Sequence, residues 1–144
     1  MRLSFRFLVS RLAPLLVVAL VGCGDSGPTI VKVAGVLTYK GKPVTNAYVE
    51  FQPEQGRPSW GQTDENGRFE LHYDPQKDGA VTGKHKVSVK LRPSTVKEQE
   101  AVMMGKKPPL SKEMNEFFSK YSVERTKLEV TIDKSTSDLK LDLD

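Results

Sequence analysis

Lys84-His85-Lys86-Val87-Ser88-Val89-Lys90-Leu91 decides the fold. Its odd positions are His85, Val87, Val89 and Leu91, and its even positions are Lys84, Lys86, Ser88 and Lys90. A repeat of two puts alternate side chains on opposite faces of an extended chain, so this is a strand with one buried and one wet face. The same rhythm runs outward on both sides. Val33, Gly35, Leu37 and Tyr39 share one face of an earlier strand, and Ala47, Val49 and Phe51 share one of the next, opposite Tyr48, Glu50 and Gln52. Phe69, Leu71 and Tyr73 alternate with Arg68, Glu70 and His72 over 68–73, and Trp60 belongs to a strand at 59–63. Leu128, Val130 and Ile132, then Leu139, Leu141 and Leu143, close the series.

Turn chemistry separates these runs. Lys40-Gly41-Lys42-Pro43 follows the first, Asp64-Glu65-Asn66-Gly67 suits a tight hairpin, and Asp78-Gly79 with Gly83 breaks the next connection. About seven short strands divided in this way predict an all-β fold, a seven-stranded antiparallel sandwich. Residues 93–122 break the rhythm and carry a short helical insertion near 94–120. Thr95 with Glu98 forms a capping box and Gly105 a stop; Ser111 caps a second turn or two reaching Ser119. Leu110, Met114, Phe117 and Phe118 then share one side. The expected role is a flap packed on the sheet; a lid closing over Trp60 is the alternative.

Of 144 residues, 38% are hydrophobic, enough for one core and against wholesale disorder. The net charge of +4 is concentrated at one end. Arg2, Arg6 and Arg11 precede an apolar run over 12–21; the 22 basic residues less these three leave 19 against 18 acids. A near-neutral body gives no electrostatic case for nucleic acid. The single cysteine excludes an intramolecular disulfide and an all-cysteine zinc site. A basic start, a short apolar middle and small residues beyond are the parts of a secretory signal.

Leu20, Val21, Gly22 and Cys23 resemble a lipobox, the recognition sequence of the lipoprotein signal peptidase. The resemblance implies a signal peptide at 1–22, cleavage before Cys23, and diacylglycerol and palmitate-type acylation there. A tether would then occupy 23–28 and one domain 29–144. A signal peptide with an incidental cysteine, or an uncleaved anchor, is the alternative. Two or more acyl chains hold a protein stably at a bilayer, so membrane lipid is the first expected partner. The expected location is outside the cytoplasm, in a bacterial envelope, with inner and outer membrane both open.

The stretch 33–44, then Asn46-Ala47-Tyr48-Val49-Glu50-Phe51, resembles the opening of carboxypeptidase regulatory-like domains. Thr63-Asp64-Glu65-Asn66-Gly67-Arg68-Phe69 is similar to that family's second signature, and Gly83-Lys84-His85-Lys86-Val87-Ser88-Val89 to its third. Lys120-Tyr121-Ser122 and the closing leucines resemble small bacterial lipoproteins built on this domain. The resemblance implies a transthyretin-like (prealbumin-like) sandwich. Gly35, Gly41, Pro43, Asp64, Gly67 and Gly83 then serve turns and close backbone approach.

No catalytic set, metal site or cofactor is predicted. His72 lies on a polar phase and His85 on an apolar one, with no ligand or nucleophile at useful spacing. The 64–67 loop runs straight into a strand, unlike a twelve-residue calcium loop. Transthyretin-like hydroxyisourate hydrolases end in a Tyr-Arg-Gly-Ser motif that is missing here. Lys84, Lys86, Lys90 and Arg92 form a basic stripe, with Lys97, Lys106 and Lys107 beyond, expected to be a solvated face or guarded edge; contact with anionic lipid or polysaccharide is the alternative. The expectation is a tethered, non-enzymatic envelope module that is structural or binds protein or glycan. A small-ligand carrier using the 93–122 flap is the alternative.

Overall fold

Seven of the nine residues of the longest strand pair without interruption to one neighbour, and that ladder organises the molecule. The computed structural model describes residues 27–93, 95–106 and 110–144. In chain order the strands are β1 Ile30–Val31, β2 Val33–Tyr39, β3 Lys42–Pro43, β4 Ala47–Pro53, β5 Ser59–Gln62, β6 Arg68–Glu70 and β7 His72–Asp74. β8 Lys77–Asp78, β9 Ala80–Val81 and β10 Gly83–Leu91 follow. Helices α1 Val96–Met103 and α2 Lys112–Lys120 come next, then β11 Glu129–Ile132 and β12 Thr136–Leu143.

Two sheets face each other. One runs β11-β10-β4-β5-β7-β8 and is antiparallel throughout. The other runs β12-β2-β3, with β6 also on β2. The β1–β9 ribbon is a third, two-stranded sheet whose Ala80 is buried in the same core, with Val31 packed against it. The expected sandwich is present, but among the described residues it is divided into twelve strands, four of them only two residues long, in place of about seven, and β12 runs parallel to β2. The alternating residues meet between the sheets, where Leu37, Val49, Phe51, Phe69, Val87, Val89, Ile132, Leu141 and Leu143 are buried.

The single strand expected over 68–73 is instead broken at Leu71. Arg68–Glu70 pairs with β2, and His72–Asp74 continues in the opposite sheet beside β5. Leu71 is the buried corner between them, its N–H donating to the Val33 carbonyl at 2.9 Å. A chain that changes sheets must pass close to its neighbours, and two glycines leave that space. A Cβ on Gly61 would lie 2.5 Å from the Glu70 carbonyl oxygen, and one on Gly35 would overlap the Leu139 carbonyl of β12.

The insertion is helical, and its caps are those read from the sequence. Thr95 Oγ1 accepts from the Glu98 N–H and Ser111 Oγ from the Met114 N–H, both at 3.2 Å. α1 buries nothing. α2 buries Phe117, which rests on Tyr39, Phe118 and Tyr121, while Met114 and Phe118 pack on the core. The helix also completes an edge. β11 pairs only Gly83–Lys86 of β10, so the upper N–H groups of that strand need other acceptors. Val87 donates to Leu128 and Val89 to Tyr121, both at 2.8 Å, and Thr126 Oγ1 donates to the Val87 carbonyl. Tyr121 in turn donates its hydroxyl to the Asp144 carbonyl at 3.0 Å.

Phe117→Ala is expected to cost about 3–5 kcal/mol in chemical denaturation, because it empties the helix–core contact. Tyr121→Phe keeps the ring and is expected to cost only about 1 kcal/mol. Lys40 Nζ lies 3.0 Å from Glu113 Oε1 and fastens α2 to the β2–β3 turn. That hydrogen bond, helped by charge attraction, holds Glu113 below its ordinary value of 4.5 and Lys40 above its ordinary 10.5. The pair therefore stabilises the fold between those two values, and the gain disappears as pH falls through the lowered carboxyl value or rises through the raised lysine one. Both groups are exposed, so the effect is small. Denaturation series at several pH values are expected to show it in the native chain and not in Glu113→Gln.

Candidate functional site

The outward face of the six-stranded sheet carries a row of side chains from five strands. Period-two geometry fixes its members: Ser59 and Gly61 point inward, so Trp60 and Gln62 point out. Direct cross-strand pairing then aligns Ser88 with Glu50, Glu50 with Trp60, Trp60 with His72, and His72 with Asp78. The next row aligns Lys90, Tyr48 and Gln62.

Trp60 is the centre of this face. It is 42% exposed although it sits on an interior strand of the sheet. The Tyr48 ring meets it nearly edge-on, with centroids 6.4 Å apart and planes at 77°. His72 lies on its other side at 5.2 Å and 47°. The indole is therefore held from two sides and left open on the third. Beside it lies a depression of about 350 Å³ lined by Tyr48, Glu50, Pro58, Trp60 and Lys90.

Polar partners fix the surround. Lys90 Nζ pairs with Glu50 Oε2 at 3.0 Å, diagonally across the two rows. His72 Nδ1 and Asp78 Oδ1 are 2.7 Å apart, which orients the imidazole against the indole. The Arg92 guanidinium stands 6.0 Å from the Tyr48 ring centre. The basic stripe is tied down elsewhere: Lys84 pairs with Glu129 at 2.9 Å, and Lys86 donates to the Val123 carbonyl.

The other histidine is in the core. His85 is fully buried, its Nε2 lies 2.7 Å from the Val81 carbonyl, and its ring meets Phe51 edge-on. A carbonyl only accepts, so Nε2 carries a proton there, and Nδ1 has no partner among the described residues. The two histidines therefore face opposite sides of the sheet.

Of the turn positions, Asp64 and Gly67 share one loop and Gly67 lies against Pro43, while Gly35 and Gly83 lie in strands β2 and β10. Asp64 Oδ1 accepts from the N–H groups of Asn66 and Arg68, both at 2.8 Å, so this carboxylate serves its own loop. The loop joins β5 and β6, which belong to different sheets, and so it is a tight turn between layers and not a hairpin of paired strands. Gly67 has φ of 73°, and a Cβ there would lie 2.5 Å from the Leu37 carbonyl oxygen. Gly41 follows β2, Pro43 ends β3, Gly83 begins β10, and Gly35 faces β12.

The flap and Trp60 are not brought together. No residue lining the Trp60 depression comes from 93–122, and Phe117 packs with Tyr39 at the end of the sandwich. Between the helices and the sheet end lies a separate groove of about 330 Å³, with Val44, Leu91, Leu110, Met114 and Phe118 among its lining. The sequence reading did not single out Tyr48, Glu50 or Asp78 as neighbours of Trp60. Their outward phase was legible, but their adjacency is a matter of register.

Leu20, Val21, Gly22 and Cys23 lie outside the described residues. Among the described residues no helix is long and apolar enough to cross a membrane, and no group of three or more His, Cys, Asp or Glu is placed to hold a metal ion. No protein-family model, curated protein or solved structure gives a significant match to this chain.

Proposed function

We propose that this chain is a non-enzymatic, glycan-binding envelope module, acylated at Cys23 and built on a transthyretin-like sandwich. One observation carries the binding part: a half-exposed indole, held mid-sheet between Tyr48 and His72 and surrounded by hydrogen-bonding side chains. A sugar ring presents apolar C–H groups on its faces and hydroxyls around its rim. Trp60 offers an apolar surface to the first, and Glu50, Lys90, Gln62 and His72 offer donors and acceptors to the second.

The surroundings favour a glycan over a protein partner. A stable protein interface buries about 800 Å² per partner around a desolvated, charge-poor centre. Here Trp60 and Tyr48 are ringed by the charged and polar groups of Glu50, Lys90, His72 and Arg92. The rings are also far from coplanar, which fits a soluble chain turning past the indole and not a flat crystalline polysaccharide. A rigid sheet face needs no ordering before it binds, which limits the entropic cost. Acyl chains on Cys23 would hold this face close to a bilayer and confine it to glycans within reach of the tether.

The groove beneath the helices supports a second reading, a carrier for a small apolar ligand. Filling that groove would protect the amides of α2 from exchange and leave Trp60 emission unchanged, so the two readings separate.

Screening the body against arrayed envelope glycans is expected to yield ligands that shift Trp60 emission. Trp60→Ala is expected to weaken them about tenfold or more, equivalent to about 1.4 kcal/mol. Binding that survives this substitution would remove the site from the proposal. For the anchor, mass spectrometry of the native N-terminal peptide is expected to find it beginning at Cys23 with fatty acid attached. A product that begins upstream, or that carries no lipid, would overturn that part.

A further inference from the structure

We infer that the Trp60 face takes an acidic saccharide, with Arg92 receiving the carboxylate of a sugar neighbouring the one stacked on the indole. This rests on the glycan-binding reading and specifies its ligand.

The charges around the aromatic row are mostly committed within the protein. Glu50 is held by Lys90, Asp78 by His72, and Asp64 by the N–H groups of Asn66 and Arg68. Lys84 and Lys86 are engaged with Glu129 and the Val123 carbonyl. Arg92 differs. It is exposed, and among the described residues no carboxylate lies within ion-pairing distance of it. Its backbone is nevertheless fixed, because its N–H donates to the Asn46 carbonyl at 2.9 Å directly after the last β4–β10 pair, Leu91 with Ala47. A guanidinium on a fixed backbone, lying over Tyr48, presents a fork of N–H donors matched to a carboxylate.

Position completes the argument. Trp60 to Tyr48 is a step of 6.4 Å between ring centres, and Tyr48 to Arg92 a further 6.0 Å. A short oligosaccharide stacked on the indole covers that span. Arg92 also lines a second depression of about 440 Å³ with Thr45, Asn46, Gln62, Thr63, Asp64 and Glu65. Gln62 belongs to that lining and is the direct cross-strand partner of Tyr48, so the two depressions adjoin along the same strands. Asn46, Gln62 and Thr45 supply neutral hydrogen bonds to sugar hydroxyls. Glu65 opposes an anion there, which supplies a second handle for testing.

The experiment compares oligogalacturonates and glucuronate-containing oligosaccharides with their methyl esters, which keep the backbone and remove the charge. Dissociation constants are read from Trp60 emission and calorimetry. At low salt the acids are expected to bind at least tenfold more tightly than the esters, with the gap narrowing as salt screens the charge. Arg92→Gln is expected to erase the preference, bringing acid and ester to the same affinity. Arg92→Lys should keep part of the preference, and Glu65→Gln should widen it. Equal affinity for acid and ester, or a preference that survives Arg92→Gln, would overturn the inference while leaving glycan binding intact. Failure of every acid and every ester to move Trp60 emission would instead remove the glycan reading and this inference with it.

Discussion

The uninterrupted antiparallel ladder between β4 and β10, from His85 opposite Pro53 to Leu91 opposite Ala47, is the constraint on which the other features depend. Register in a sheet has a period of two, so a slip of one residue would turn Val49 and Phe51 to solvent and bring Tyr48 and Glu50 inward. The same pairing that fills the core therefore also sets the outer row. Core and candidate site are two faces of one ladder, and neither can change register without the other.

Around this ladder the fold has to finish an edge and a corner. The edge is the upper half of β10, beyond the reach of β11, where α2 and the segment after it supply carbonyls to Val87 and Val89. This gives the insertion a structural purpose at its second helix: Phe117 enters the core and Tyr121 holds the chain at Asp144. The corner is Leu71, where one strand passes from sheet to sheet. It delivers His72 to the side of Trp60, and the passage is possible only because Gly61 has no side chain to obstruct it.

The outer face gains its character from what its neighbours already bind. Glu50 and Asp78 are charged but occupied, Trp60 is apolar but half open, and Arg92 is charged and open. A ligand with an apolar ring face, a hydroxylated rim and an acidic substituent matches those three conditions together. A preformed sheet surface of this kind gains specificity from fixed geometry and not from closure of a lid, which agrees with the position of the helices away from the indole.

The sequence alone determined which residues alternate, where the turns fall, and that 93–122 interrupts a β fold with two capped helices. It did so because period-two patterning and capping are local properties, set within a few residues of chain. The inward phase of His85 and the outward phase of His72 were legible for the same reason. What only the tertiary structure decided was adjacency: the sheet change at Leu71, the parallel pairing of β12 with β2, and the meeting of Tyr48, Glu50, Trp60, His72 and Asp78. These contacts join strands far apart in sequence, and their choice depends on which edges remain unpaired once the first ladder has formed. Local patterning gives each side chain its face, and packing chooses its neighbours.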